Sequence, residues 1–194
     1  MIIGITGYIG VGKSTAAEIL SKQNIISKQG FKIIDVDKLG HELLQNGEVK
    51  NNLIGEFGEK ILGRDLNIDR KKLGELVFSN TELLQKLNGI VHSRLREKLK
   101  EIIRDIKAKN ENAIIDVALL TELKINYLCD KIILIKADTE KVYDRMVKGY
   151  NKKQILNVMN SQKVQKYDYV VENNGNKEDL KENLINLEIK KNLH

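Results

Sequence analysis

MIIGITGYIGVGKST, residues 1–15, decides how the rest of the chain is read. Ile2, Ile3 and Ile5 form a short apolar run that predicts a buried strand. Gly7-x-x-x-x-Gly12-Lys13-Ser14 follows, and the residues after it continue with helical character. Strand, Gly-x-x-x-x-Gly-Lys-Ser loop and helix start, in that order, predict a phosphate-binding loop. Each residue type has a chemical reason. Gly7, Gly10 and Gly12 permit backbone conformations closed to residues with a Cβ, so successive amides can turn toward phosphate oxygens. Lys13 brings a point charge to the β- and γ-phosphates, the Ser14 hydroxyl suits Mg²⁺, and the helix start adds positive potential. The expected nucleotide contacts are therefore Gly7, Tyr8, Ile9, Gly10, Val11, Gly12, Lys13, Ser14 and Thr15.

Working outward, four more segments read as buried strands: 31–37, 112–120, 131–137 and 167–171. Short aliphatic runs separated by helical patterns imply βαβ units and a mostly parallel sheet covered on both faces. Helix 1 is expected over about 14–29, a second from 37 to 45, and a closing helix over about 176–190. The long interval between the second and third strands reads as helical throughout. It includes 69–78 and a long helix over 81–109, divided by a cap signal at Ser79-Asn80-Thr81. In that long helix Leu83, Leu84, Leu87, Ile90, Val91, Leu95, Leu99, Ile102 and Ile103 recur at the 3.6-residue period, with Lys and Arg opposite. This interval is expected to be an insertion, about 45–109, on the acceptor side of the nucleotide site. Residues 138–148 and 152–161 read as two further helices around Gly149-Tyr150-Asn151.

At 194 residues the chain is expected to be one domain, and its 41% hydrophobic and 31% charged residues are those of a globular protein. No apolar run approaches the ~20 residues of a membrane span, and the N-terminus lacks a basic region before its apolar residues. A single cysteine, Cys129, leaves no internal disulfide framework and fits a reducing cytoplasm. The net charge of +6 suits polyphosphate ligands. Lysines are dispersed and aromatic residues make up only 5%, so no basic-aromatic face for stacking bases is expected. Proline is absent, which leaves loops and helix starts to Gly, Asn, Asp and Ser.

Asp35 and Asp37 close the second predicted strand, on one side by its two-residue period, at the end where ligands bind in open α/β sheets. A carboxylate there could take the proton of an attacking hydroxyl, hold a water on Mg²⁺, or cap a helix starting at Lys38. Asp37 is read as the more catalytic and Asp35 as the more structural. Asp116 ends the third apolar run, either as a metal-side carboxylate acting through water or as a buried hydrogen-bonding group. His41 reads as a helix-surface residue; His92, beside Ile90-Val91, is a candidate acceptor contact. Arg145 and Lys148, one helical turn apart, are either mobile donors to the transferring phosphoryl group or a solvated helix end. Asp37-x-x-Gly40 and Asn176-Lys-x-Asp179 mimic GTPase motifs. The first lies too close to Lys13 to leave room for a switch strand, and in the second Asn176 reads as a helix cap.

The order of these pieces resembles the dephospho-coenzyme A kinases, P-loop kinases of the nucleoside-monophosphate kinase type. The resemblance rests on 5–15, Ile34-Asp35-Val36-Asp37, Asp69-Arg70-x-x-Leu73, Val77-Phe78 and Leu87-Asn88-x-x-Val91-His92. It continues through Asp116-Val-Ala-Leu-Leu120-Thr-Glu122, Gln162 and Asp168 to Gly175. It implies a three-layer α/β/α fold with a five-stranded parallel sheet, a helical acceptor-side insertion and a short lid over about 138–162. It implies ATP and Mg²⁺ as cofactors and phosphorylation of the ribose 3′-hydroxyl of dephospho-CoA. Asp37 is then the general base, Lys13 and Arg145 act on the transferring group, and Asn174 joins the ATP contacts. Arg70, His92 and Glu122 are implied on the substrate side with Asp37, and Ser14 and Asp116 on the metal side. A cytoplasmic monomer with no nucleic-acid or membrane partner is expected. Against the family's pattern, Tyr8 replaces a loop glycine, Ser93 and Ala118 replace prolines, and Lys148 stands where a second lid arginine is usual. Two other functions fit the residues alone: a kinase of another small hydroxyl acceptor, and a regulatory P-loop protein that binds nucleotide.

Overall fold

β1 (Ile2–Thr6) is buried at every residue, which places it in the middle of a sheet. A computed structural model of the chain describes residues 1–22, 29–77, 80–118, 120–146 and 166–187. Five parallel strands form the sheet: β1, β2 (Lys32–Asp35), β3 (Ala113–Asp116), β4 (Lys131–Lys136) and β5 (Tyr169–Glu172). They lie in the order β2-β3-β1-β4-β5. Ile5 pairs with Asp116, Asp35 with Asp116, Thr6 with Leu134 and Lys136 with Glu172, so the carboxyl ends share one edge. The order reverses at β1, with β3 on one side and β4 on the other. That is the point where ligands bind in open parallel sheets.

Alternate β1 residues serve two covered faces. Ile3 and Ile5 join Ile114, Ile133, Ile135 and Val171 in a core with Ala16, Ala17, Ile19 and Leu20 of α1 (Lys13–Lys22). Leu180 and Leu184, on the closing helix Lys177–Ile185, complete it. On the other face Ile2, Ile115, Ile132 and Leu134 are also buried. There a Cβ at Gly4 would come within 2.8 Å of both Cys129 Sγ and Leu120 Cδ1, so this strand position needs glycine. Burial pushes the Cys129 thiol up to about 12, leaving it a packed small hydrophobe rather than a nucleophile.

The chain divides into two compact units, Met1–Val36 with Ile103–His194, and Asp37–Ile102. The second contains most of α2 (Val36–Leu43), then α3 (Gly47–Phe57), α4 (Arg70–Val77) and the first part of α5 (Thr81–Ala108). Leu44, Val49, Leu53, Phe57, Ile61, Ile68, Leu73 and Val77 form its own core, with Leu83, Leu87, Ile90 and Val91 against it. Polar side chains supply the starts that proline would otherwise set. Asp69 Oδ1 accepts from the amides of Lys71 and Lys72 at 2.9 and 3.2 Å, and Asn80 Oδ1 from those of Glu82 and Leu83 at 2.9 and 3.2 Å.

Several boundaries differ from the sequence expectation. The second strand stops at Asp35 and the helix begins at Val36, so Asp37 lies in a helical first turn rather than on a strand beside Asp35. The reason is the partner: pairing with β3 ends at Asp35–Asp116, and the next amides are recruited into a helix. The third strand likewise ends at Asp116; Val117 and Leu120 are buried within the turns that follow, which an apolar run cannot distinguish from strand. The interval after β2 is not helical throughout. A short 3-10 turn at Glu59–Ile61 and an antiparallel bridge between Leu62 and Ile68 separate α3 from α4. α6 (Thr139–Met146) begins where expected. Lys148, Gln162, the 152–161 helix and Ser79 lie outside the described residues. The closing helix, α7 (Lys177–Ile185), opens on a capping box. Asn176 Oδ1 accepts from the amides of Glu178 and Asp179, and Asp179 Oδ2 accepts from the Asn176 amide at 2.8 Å. Asn176 and Asp179 are thus committed to a helix start rather than to reading a base. No helix among the described residues is long and apolar enough to cross a membrane.

Candidate active site

The loop from Gly7 to Gly12 leaves the carboxyl end of β1 and runs into the N-terminus of α1. Gly7, Gly10 and Gly12 all adopt positive φ, at 150°, 77° and 94°. Gly10 is further confined by its neighbours, because a Cβ there would come within 2.6 Å of Met146 Sδ and 2.8 Å of Val142 Cγ1 on α6. Tyr8 is not among the positive-φ residues, so a side chain costs nothing in backbone conformation at this loop position. Its ring packs against the sheet core. Its carbonyl accepts from the Val11 amide at 3.4 Å and from Lys13 Nζ at 3.1 Å, which folds the lysine back over the loop. Ile9 and Val11 complete the turn, Val11 fully buried; Thr15 is half-buried in the first turn of α1.

Ser14 Oγ donates to Asp116 Oδ2 at 2.6 Å. The two are brought together because β3 lies beside β1 and ends level with it. Asp116 is 7% exposed, so the carboxylate is a buried, hydrogen-bonded group, as one of the two sequence readings expects. Thr6 Oγ1 donates to the Ala118 carbonyl at 3.3 Å and fixes the turn after β3. A hydroxyl and a carboxylate oxygen in contact are hard donors that suit Mg²⁺.

On the β4–β5 side a cleft of about 180 Å³ is lined by Tyr8, Lys136, Ala137, Asp138, Glu172 and Asn174. Asn174 Oδ1 accepts from the Asp138 amide at 2.7 Å, so this candidate ATP contact is fixed at the cleft wall. Asn173, which the sequence did not single out, is buried at 7% exposure. Its amide donates to Lys136 O at 2.7 Å and its Nδ2 to Val11 O at 2.8 Å. The usable signal was its place directly after an apolar strand, where a polar side chain cannot stay buried without partners. Arg145, in the last turn of α6, donates to the carbonyls of Asn173 at 2.8 Å and Gly175 at 3.3 Å.

In the Asp37–Ile102 unit, Asp37 is exposed in the first turn of α2. A second cleft, of about 240 Å³, is lined by His41, Leu44, Arg70, Leu73, Val77 and Leu87, among others. Arg70 Nη2 lies 2.8 Å from His41 Nε2. Guanidinium has no acceptor, so in this contact Arg70 donates and His41 Nε2 accepts. His92 is half-buried on α5; burial lowers its pKa below the ordinary value, and Arg96 lowers it further. Glu122 is exposed in the turn after β3.

A five-stranded parallel sheet with a Gly-x-x-x-x-Gly-Lys-Ser loop at its central strand, and a Ser–Asp pair bridging that loop to the next strand, defines a P-loop kinase-like fold. Solved structures share it. The chain superposes with a TM-score of 0.70 on the dephospho-CoA kinase from Campylobacter jejuni, at 26% identity, covering 98% of this chain and 97% of that one. A Thermus thermophilus crystal structure gives 0.74 at 29% identity, covering 93% and 92%. The family model for dephospho-CoA kinase matches residues 1–179. The Fusobacterium nucleatum dephospho-CoA kinase is 40% identical over 187 residues, 93% of each chain. The one from Carboxydothermus hydrogenoformans is 33% identical over 195 residues, 96% of this chain and 92% of its own. The chain belongs to the dephospho-CoA kinase family.

Proposed function

We propose that the protein transfers the γ-phosphoryl group of ATP to the ribose 3′-hydroxyl of dephospho-CoA, giving coenzyme A and ADP. The observation that carries this reading is the formed phosphate loop, with Ser14 tied to Asp116, in a chain whose family match runs over residues 1–179. In the reaction the 3′-oxygen attacks the γ-phosphorus, the bond to the β–γ bridging oxygen breaks, and the hydroxyl proton passes to the Asp37 carboxylate. The amides of 7–15 and Lys13 bind and orient the phosphates. Ser14 directly, and Asp116 through water, would hold Mg²⁺, which neutralises charge on the β- and γ-oxygens. Adenine occupies the cleft of Tyr8, Ala137 and Asn174. Segment 138–162 serves as the lid, and its Arg145 closes over the γ-phosphate as the nucleotide binds.

Arg70, His92 and Glu122 contact the acceptor with Asp37. Arg70 beside an apolar cleft suits a ligand that carries both a diphosphate and an apolar arm. The helical insertion, about 45–109, is the acceptor-side part of a single catalytic protein that acts as a cytoplasmic monomer, without nucleic-acid or membrane partners. The test is ATP-dependent ADP formation across dephospho-CoA, several nucleosides and simple polyols. ADP should appear with dephospho-CoA alone. Equal rates with a nucleoside would redirect the assignment to a kinase of another small hydroxyl acceptor.

A further inference from the structure

Asn173 makes contacts that neither phosphate binding nor base binding requires by itself. Its backbone amide is tied to Lys136 and its neighbours in sequence are Glu172 and Asn174, and all three of these residues line the β4–β5 cleft. Its side chain instead leaves the cleft and donates to the carbonyl of Val11, inside the phosphate loop. The next loop residue is shaped around it. A Cβ on Gly12 would strike Asn173 Nδ2, and Gly12 holds φ at 94°, a conformation side chains rarely adopt. A second link runs the same way, because Tyr8 lines the cleft while its carbonyl holds Val11 and Lys13. Asn173 is itself clamped by Arg145 on its carbonyl.

We propose that Asn173 is a positioning residue that couples the base cleft to the phosphate loop, so that occupying one half of the nucleotide site orders the other. The physical basis is that Val11 O is buried and has Asn173 Nδ2 as a donor at 2.8 Å. Removing that donor leaves a buried carbonyl to be satisfied by moving the loop. Linkage makes the effect reciprocal: if the filled loop steadies Asn173, a filled cleft steadies the loop. The proposal rests on the reading of the β4–β5 cleft as the base subsite.

Inorganic tripolyphosphate with Mg²⁺ tests it in the intact chain, since this probe has no base and can fill only the phosphate half. Hydrogen exchange in the wild type should slow at the loop amides of 10–14. It should also slow at the amides of Asn173 and Asp138, which belong to the cleft. Protection at the loop with unchanged exchange at Asn173 and Asp138 overturns the proposal. In Asn173→Ala and in Asn173→Asp, which keeps the shape but puts an oxygen against Val11 O, tripolyphosphate affinity should fall about 10- to 100-fold. The KM for ATP should rise while that for the acceptor stays within twofold. Variants that melt earlier but bind tripolyphosphate as the wild type does would make Asn173 a packing residue only, against the proposal. Should neither variant fold, the wild-type exchange pattern decides. Absence of any ADP-forming activity would sink the kinase reading and leave this test intact.

Discussion

The phosphate loop and the Asp37–Ile102 unit carry their candidate residues in opposite ways. Around the loop, side chains and backbone interlock across elements, with Asp116 and Asn173 buried: Ser14 with Asp116, Asn173 with Val11, Lys13 with Tyr8. In the other unit, Asp37, His41 and Arg70 are exposed, and the core is built of apolar residues. The contrast follows from the tasks. Phosphate is held mostly by amides whose directions must be set before the ligand arrives, which calls for a rigid frame. An acceptor alcohol is held by side chains, and an apolar core need only support them. The loop side is therefore predicted to lose rate or nucleotide affinity when altered, and the acceptor side to lose acceptor affinity, with Asp37 the exception.

That exception provides the largest expected effect. Asp37→Asn keeps size but cannot take the hydroxyl proton at neutral pH, so single-turnover rates should fall ~10²–10⁴-fold at nearly unchanged melting temperature and ATP affinity. Asp35→Asn should mainly lower stability. The reverse result would exchange their roles, and normal turnover in both would move the search for a base to Asp116. Lys13→Ala should cost about 10²–10³ in kcat with the fold intact, judged by circular dichroism and melting. A folded variant that still forms ADP at the wild-type rate would break the loop side of the comparison.

Arg70→Ala sharpens the acceptor side. The KM for dephospho-CoA should rise about 10- to 100-fold with kcat little changed, as for loss of a charge-assisted contact that does not strengthen in the transition state. A fall in kcat at constant KM would contradict uniform binding by Arg70. The smallest effect concerns His92. Its pKa is lowered in the folded protein, so below its ordinary value near 6.5 the unfolded chain binds more protons and stability declines with acidification. Thermal melts from pH 7.5 to 5 should show that decline, and His92→Gln should flatten it. An unchanged slope would make His92 irrelevant to the acid limb.

The same contrast explains what the sequence made legible. The loop, the apolar strand runs of the sheet and the Asn176 cap were readable because each shows in residues adjacent in the chain. So did the long amphipathic helix, whose period identified α5 within one residue of its end. What escaped depends on neighbours remote in sequence. Where β2 ends is decided by β3, some eighty positions onward, and this moved Asp37 from strand to helix. The bridge of Leu62 to Ile68 is a local exception: it rests on a turn in which Gly63 O accepts from the Leu66 amide at 3.1 Å, and its turn-forming Gly63, Asp65 and Asn67 sit within an interval read as helical. Asn173 lay unremarked beside Asn174, because nothing local shows which of two successive amides turns inward. The 2.8 Å approach of His41 to Arg70 joins two helices that no local pattern pairs.

The most direct measurement is the phosphorus NMR spectrum of the product formed from ATP and dephospho-CoA. The account predicts one new monoester resonance, coupled to the ribose 3′ position, growing in equal amount with ADP. ADP that accumulates equally without dephospho-CoA, or a phosphate attached to any other hydroxyl of the acceptor, would contradict it.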